Sequence, residues 1–179
     1  MGTSFFKAIV EIINRYKRMK DPVSYYRKQG IKIGERCEIR GGAKFSSEPY
    51  LISIGNHVRI NAGVEFVTHD GGAWVLRDIS NVENHENITL FGPIKVGDNV
   101  HIGSNAILMP NVKIGNNCII GCGAIVTHDI PDNSIAVGVP ARVIETIQEY
   151  EKKHLQDYCF TKNYSKEELR KFLANKYGL

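Results

Sequence analysis

Val96, Ile102, Leu108, Ile114, Ile120 and Val126 stand six residues apart without a break. A fixed period of six fits neither the 3.6-residue helix nor the isolated alternating strand, but it fits a short strand plus a tight corner, repeated along the chain. Four of the six are followed by glycine, at Gly97, Gly103, Gly115 and Gly121. The fifth residue of each unit is again small or apolar: Val100, Ala106, Val112, Cys118, Ala124 and Ile130. Gly, Asn and Asp crowd Gly97-Asp98-Asn99 and Gly115-Asn116-Asn117, where each corner favours residues that tolerate unusual backbone angles. Three such units make one triangular coil of about eighteen residues, and stacked coils bury a continuous aliphatic ladder.

The same rhythm runs earlier in weaker form. Ile33, Ile39 and Phe45 are six apart, as are Ile54, Ile60 and Phe66, with a three-residue slip around Glu48-Pro49-Tyr50 that reads as a bulged corner. Apolar spacing is lost after His69 and resumes near Pro93, in step with the earlier units. An extruded loop over about residues 70–93 is therefore expected, and long excursions from a rigid repeat sit at binding faces.

The repeats Ile102-Gly-Ser-Asn-Ala-Ile, Ile114-Gly-Asn-Asn-Cys-Ile and Ile120-Gly-Cys-Gly-Ala-Ile lead into Val126-Thr-His-Asp-Ile-Pro and Val137-Gly-Val-Pro-Ala-Arg-Val-Ile. Together they resemble the hexapeptide-repeat acyltransferases over about residues 31–145. The closing segment and Phe66-Val-Thr-His-Asp resemble the branch that acetylates maltose, galactosides, capsular polysaccharide and xenobiotics. The resemblance implies an all-β solenoid, a left-handed parallel β-helix, over residues 31–141. It also implies acetyl coenzyme A as donor and a homotrimer with sites at the subunit interfaces.

The chain ends are different material. Residues 1–30 hold seven Lys or Arg against Glu11 and Asp21, a local charge of +5, so the basic balance of the protein is an N-terminal property. Phe5, Phe6, Ile9, Val10, Ile12, Ile13 and Tyr16 recur at helical spacing, with Lys7, Arg15, Lys17 and Arg18 between them. Such an amphipathic helix is expected to cap the open end of the solenoid, and its composition also suits peripheral contact with an anionic membrane. Residues 142–179 read as C-terminal helices, the first over Arg142 to Gln156 and the second after Ser165, whose spacing to Glu168 is a capping box.

A chain of 179 residues with 42% hydrophobic content suffices for one solenoid domain and its appendages. No apolar run approaches the length of a membrane span, so the expected compartment is the cytoplasm, at the inner membrane face if the N-terminal helix binds lipid. The basic stretch has no nucleic-acid motif around it. Cys37, Cys118, Cys122 and Cys159 show neither paired CxxC motifs nor disulfide density, and Cys118 is expected in the core.

Moving an acetyl group from a thioester to a hydroxyl needs a base, and a neutral imidazole suits that task. Of the six histidines, His69 stands where the repeat yields to the loop and matches the family's catalytic position. Asp70 has two readings, orienting that ring or forming the turn before Gly71-Gly72. The resemblance assigns the donor track to Ser104, Cys122, Thr127, His128 and Arg142, with a backbone N–H near Ser104 stabilising the oxyanion. Trp74, Arg77, His85 and His101 are the candidate acceptor contacts. No histidine pair has the spacing of a zinc site on this fold, so no metal is expected. The expected reaction is direct acetyl transfer to a sugar or surface-polysaccharide precursor. An N-acetyltransferase of an amino sugar, a xenobiotic O-acetyltransferase and a non-catalytic assembly module are the alternatives.

Overall fold

The structure, a computed structural model, describes residues 2–179, with the side chains of residues 2–5 and 7 outside the description, so the readings of Phe5 and Lys7 fall outside the described residues. The chain forms two units, Met1–Gln148 and Glu149–Leu179.

In the first unit, short strands stack into three sheets, each built from one strand per coil. The first sheet takes Lys32–Ile33, Ile52–Ile54, Ile94–Val96 and Lys113–Ile114. The second takes Glu38–Ile39, Arg59–Ile60, Val100–Ile102, Cys118–Ile120 and Ser134–Val137. The third takes Lys44–Phe45, Glu65–Phe66, Ile107–Leu108 and Ile125–Val126. Pairing from coil to coil is parallel, in the register that stacks Ile60, Ile102 and Ile120 in one column and Phe66, Leu108 and Val126 in another. Ile102, Leu108, Ile114, Ile120 and Val126 are wholly buried. Each such side chain contributes about 1.5–3 kcal/mol on burial, so the six-residue ladder is the core. Ile130 bridges Ile114 in parallel, which gives it an inward place on the first sheet.

The corners divide their labour between two residue types. Asn99, Asn105, Asn111, Asn117 and Asn133 hold the left-handed backbone, with φ between 54° and 66°. The repeat glycines serve the stacking distance instead: a Cβ on Gly97 would lie 2.8 Å from the Gly115 carbonyl carbon, and one on Gly103 would lie 2.5 Å from the Cys122 nitrogen. Asparagine side chains also link coils, Asn99 Nδ2 donating to Asn117 Oδ1 and Asn117 Nδ2 to Asn133 Oδ1, both at 2.9 Å.

Two helices precede the coils, α1 (Gly2–Lys20) and α2 (Pro22–Lys28). Asp21 caps α2 by accepting from the Ser24 N–H, and Pro22 occupies its first turn. Tyr26 of α2 is buried, donates its hydroxyl to the Ala43 carbonyl at 3.0 Å and sets its ring 4.4 Å from Phe45, which stacks on Phe66. The residues of α1 expected to cap the solenoid do not do so. Phe6 and every residue from Ala8 to Lys20 are exposed, because the shorter α2 already covers the end of the core with Tyr26, flanked by Val23 and Tyr25.

The expected helix from Arg142 is also corrected. Arg142–Thr146 is a strand antiparallel to Ser134–Val137. The last coil leaves its backbone groups open, and the β-branched run Val143-Ile144 satisfies them better as a strand than as a helix. The helix α4 begins only at Ile147 and ends at His154.

In the second unit, α5 (Lys166–Tyr177) starts at the Ser165–Glu168 capping box and ends at Gly178, whose φ of 68° closes it in the left-handed region.

Candidate active site

His69 follows the third-sheet strand Glu65–Phe66, at the corner that leads back to the first sheet. There the chain leaves the coil: His69–Asp70 pairs antiparallel with Leu90–Phe91, and Gly92 N–H returns to the Thr68 carbonyl at 2.8 Å. Between these strands lies α3 (Ala73–Ile79). The imidazole is thus mounted on the rigid wall at the neck of the excursion, with the Phe91 ring edge-on beside it.

Its partner is a residue that sequence reasoning missed. His69 Nδ1 lies 3.3 Å from Glu48 Oε2 and 3.3 Å from Ser46 Oγ. Thr68, fully buried, donates its hydroxyl to the same Glu48 oxygen at 2.8 Å. Hydrogen bonding from Ser47, then from Thr68, with His69 contributing, holds the Glu48 carboxyl below its ordinary value. An ionised carboxylate only accepts, so the arrangement assigns the proton to Nδ1 and leaves the Nε2 lone pair available. The His69 side chain is 46% exposed against 17% for Glu48, so the imidazole is the more accessible of the two and the carboxylate is shielded. Glu48 escaped notice because it sits in the three-residue slip, which forms the short 3-10 turn Pro49–Leu51 and swings the preceding carboxylate under the next coil. Asp70 takes the turn reading: its Oδ1 accepts from the Gly72 N–H at 2.8 Å.

The remaining candidates lie in separate places. Trp74, on α3, is 76% exposed. Arg77 is engaged within the loop, donating from Nε to the Ile88 carbonyl at 2.7 Å, and His85 Nδ1 lies 3.2 Å from the Val82 carbonyl. Ser104 and Cys122 sit at the corner between the second and third sheets, in successive coils, joined by Gly123 N–H to the Ser104 carbonyl. The Ser104 N–H has no acceptor among the described residues. Cys122 is exposed, and a Cβ on the neighbouring Gly123 would meet nothing within 4 Å. Thr127 and His128 occupy the His69 corner in a later coil, with Thr127 Oγ1 2.8 Å from His128 Nδ1. Arg142 is exposed at the start of the antiparallel strand.

His101 faces outward from the second sheet, in a shallow cleft of about 350 Å³ shared with His57, Arg59 and Glu38. Arg59 forks onto Glu38 through two 3.1 Å hydrogen bonds. Burial, then the Arg59 charge, pushes the His101 imidazole below its ordinary value, which favours its neutral form. Within one chain, His69 and the pair Ser104 and Cys122 therefore stand at two different corners of the coil. Among the described residues no three His, Cys, Asp or Glu side chains are grouped to hold a metal, and no helix is long and apolar enough to cross a membrane.

Comparison with known proteins agrees with the repeat. The family described as bacterial transferase hexapeptide (six repeats) matches residues 93–128. Protein CapG of Staphylococcus aureus is 46% identical over 153 residues, 84% of this chain and 86% of that protein. Among solved structures, a hexapeptide-repeat containing acetyltransferase of Vibrio cholerae complexed with acetyl coenzyme A superposes with a TM-score of 0.56 at 26% identity, over 66% of this chain and 61% of that one. The polySia specific acetyltransferase NeuO superposes with a TM-score of 0.54 at 28% identity, over 64% of this chain and 50% of that one. The chain thus spans less than two thirds of either solved protein.

Proposed function

The chain belongs to the bacterial hexapeptide-repeat transferase family, and from that premise we propose that it moves an acetyl group from acetyl coenzyme A to a hydroxyl of a sugar or surface-polysaccharide precursor, with His69 as general base. The observation that carries this reading is the anchored imidazole: Nδ1 lies 3.3 Å from the Glu48 carboxylate, and the side chain is 46% exposed at the neck of the loop. The similarity to an acetyltransferase in complex with acetyl coenzyme A supports the donor, and the similarity to an enzyme specific for polysialic acid supports a saccharide acceptor. The family's hexapeptide pattern supports a left-handed coil.

Acetyl coenzyme A, when bound, supplies an acetyl thioester open to attack. The chain's own residues suit its arm. Exposed Cys122 and open Gly123 let an extended chain approach the backbone, Ser104 offers an N–H for the developing oxyanion, and Arg142 brings a cation for phosphate. Thr127 and His128 add polar groups at the same surface as the base. In the proposed step His69 Nε2 takes the acceptor hydroxyl proton as its oxygen attacks the thioester carbon, and Glu48 keeps the ring in the tautomer that can do so. The imidazolium then returns its proton to the departing thiolate. Because the base and Ser104 stand at different corners of one coil, a complete site is best made between two copies, which supports a homotrimer with three interfacial sites.

A thiol-release assay tests the reading. Acetyl coenzyme A is offered with sugars, amino sugars, serine and chloramphenicol while sedimentation reports the mass. The expected result is acceptor-dependent thiol release with a saccharide by a trimer. Release with amino sugars or chloramphenicol alone supports N-acetyl or xenobiotic transfer instead. A protein that neither binds nor consumes the donor is an assembly module, and a fully active monomer rejects the interfacial site.

A further inference from the structure

We propose that α1 docks on an anionic lipid bilayer, lying in the plane of its surface. The helix presents Phe6, Ile9, Val10, Ile13, Tyr16 and Met19 along one side, each exposed, from 39% at Ile9 to 74% at Met19. Phe6, Ile9, Val10, Ile13 and Tyr16 stay exposed because Tyr26 of α2 seals the end of the core that α1 was expected to cap; α1 borders that end only near its C-terminus, where Arg15, Arg18 and Met19 line a cleft with Tyr26, Ile39 and Arg40. A face of this size is unfavourable in water and calls for an apolar surface outside the molecule.

Charge selects which surface. At 3.6 residues per turn Arg15 and Arg18 fall on the other side of the helix, Lys17, Arg18 and Lys20 crowd its last turn, and Glu11 is its one carboxylate. Residues 1–30 carry +5, whereas the other 149 residues hold 16 Lys and Arg against 17 Asp and Glu. Two copies packed through α1 bring these like charges together, whereas a leaflet rich in acidic lipids offers both an apolar interior and neutralising headgroups. Basic residues near the apolar side can extend to the headgroups while their stems remain in contact with acyl chains. With its 19 residues the helix has the length but, among the described residues, not the apolarity to cross a membrane, so the proposed binding is along the surface.

The test uses the full chain and vesicles of equimolar phosphatidylglycerol and phosphatidylcholine, with phosphatidylcholine vesicles as control. Cosedimentation is expected with the acidic vesicles alone, weakening as salt rises. Ile9→Asp with Ile13→Asp should reduce binding by at least about tenfold, and Lys17→Gln with Lys20→Gln by about tenfold or more. All four side chains are exposed, so the thermal midpoint should not move; if the aspartate variant misfolds, the glutamine variant decides. The proposal is overturned by failure of the wild type to bind, by equal binding to both vesicle types, or by variants that bind as the wild type does. It is also overturned if the wild type ignores vesicles while the aspartate variant lowers the sedimenting mass, since a second copy then occupies this face.

Discussion

The coils over residues 94–126 and the excursion between His69 and Phe91 solve the same geometric problem in opposite ways. Both carry the chain from the third sheet to the first. In the later coil Met109 to Val112 makes that crossing directly, and Asn111 supplies the left-handed residue it needs. One coil earlier the same crossing swells into a two-stranded neck and a helix, in which Ala73 alone is buried. The wall is constrained by coils above and below, so every inward position must be apolar and every close approach a glycine. The loop meets such constraints only at its neck, and there the imidazole is held. The tightly constrained wall and the less constrained loop thus meet at His69.

The largest consequence is chemical. His69→Ala should leave the melting temperature and donor affinity nearly unchanged while lowering turnover by about 10² to 10⁴, the range for a positioned general base. Wild-type turnover by this variant on a confirmed acceptor, with loss in His85→Ala or His101→Ala, would move the base away from the neck.

Next comes the wall itself. Ile102→Ala should cost about 2–5 kcal/mol in a denaturant titration, because its buried neighbours cannot collapse into the space, whereas Ile79→Ala in the loop should stay within about 0.5 kcal/mol. Equal losses at the two positions would erase the distinction between wall and loop.

A smaller effect tests the anchor. Glu48→Gln should lower turnover by about tenfold, with little change in the KM for the donor, since the carboxamide no longer enforces the Nδ1 proton. Glu48→Asp should recover less than wild type, as its shorter arm cannot span the same 3.3 Å contact. A loss confined to KM would mean that Glu48 touches a substrate instead.

The smallest expected effect lies in acid. The Glu48 carboxyl is held below its ordinary 4.5, so the stability it adds is present above that pH and is lost as the pH falls through its lower folded value. A series of thermal melts should show the gap between wild type and Glu48→Gln closing over that window. Parallel curves would show that the carboxylate contributes nothing to folding.

The six-residue period made the parallel coils, their inward residues and the point of departure at His69 legible before any coordinates, since each follows from spacing along a single chain. The capping box at Ser165 and Glu168 was legible for the same reason. Glu48 was not: it belongs to a coil before that of His69, and its contact depends on how the Pro49–Leu51 turn fits the slip between coils. The strand at Arg142–Thr146 was hidden because its sequence tolerates either state, and the unpaired edge of Ser134–Val137 chose between them.

By itself the sequence determined the repeat, because a periodic apolar pattern admits few backbones that bury it, and it determined where the repeat is interrupted. Only the tertiary structure decided which carboxylate meets the imidazole, that Tyr26 rather than α1 closes the core, and that His69 and Ser104 stand at different corners. Those outcomes turn on contacts between coils and at open edges, where partners far apart in sequence compete for the same backbone groups and the same buried space.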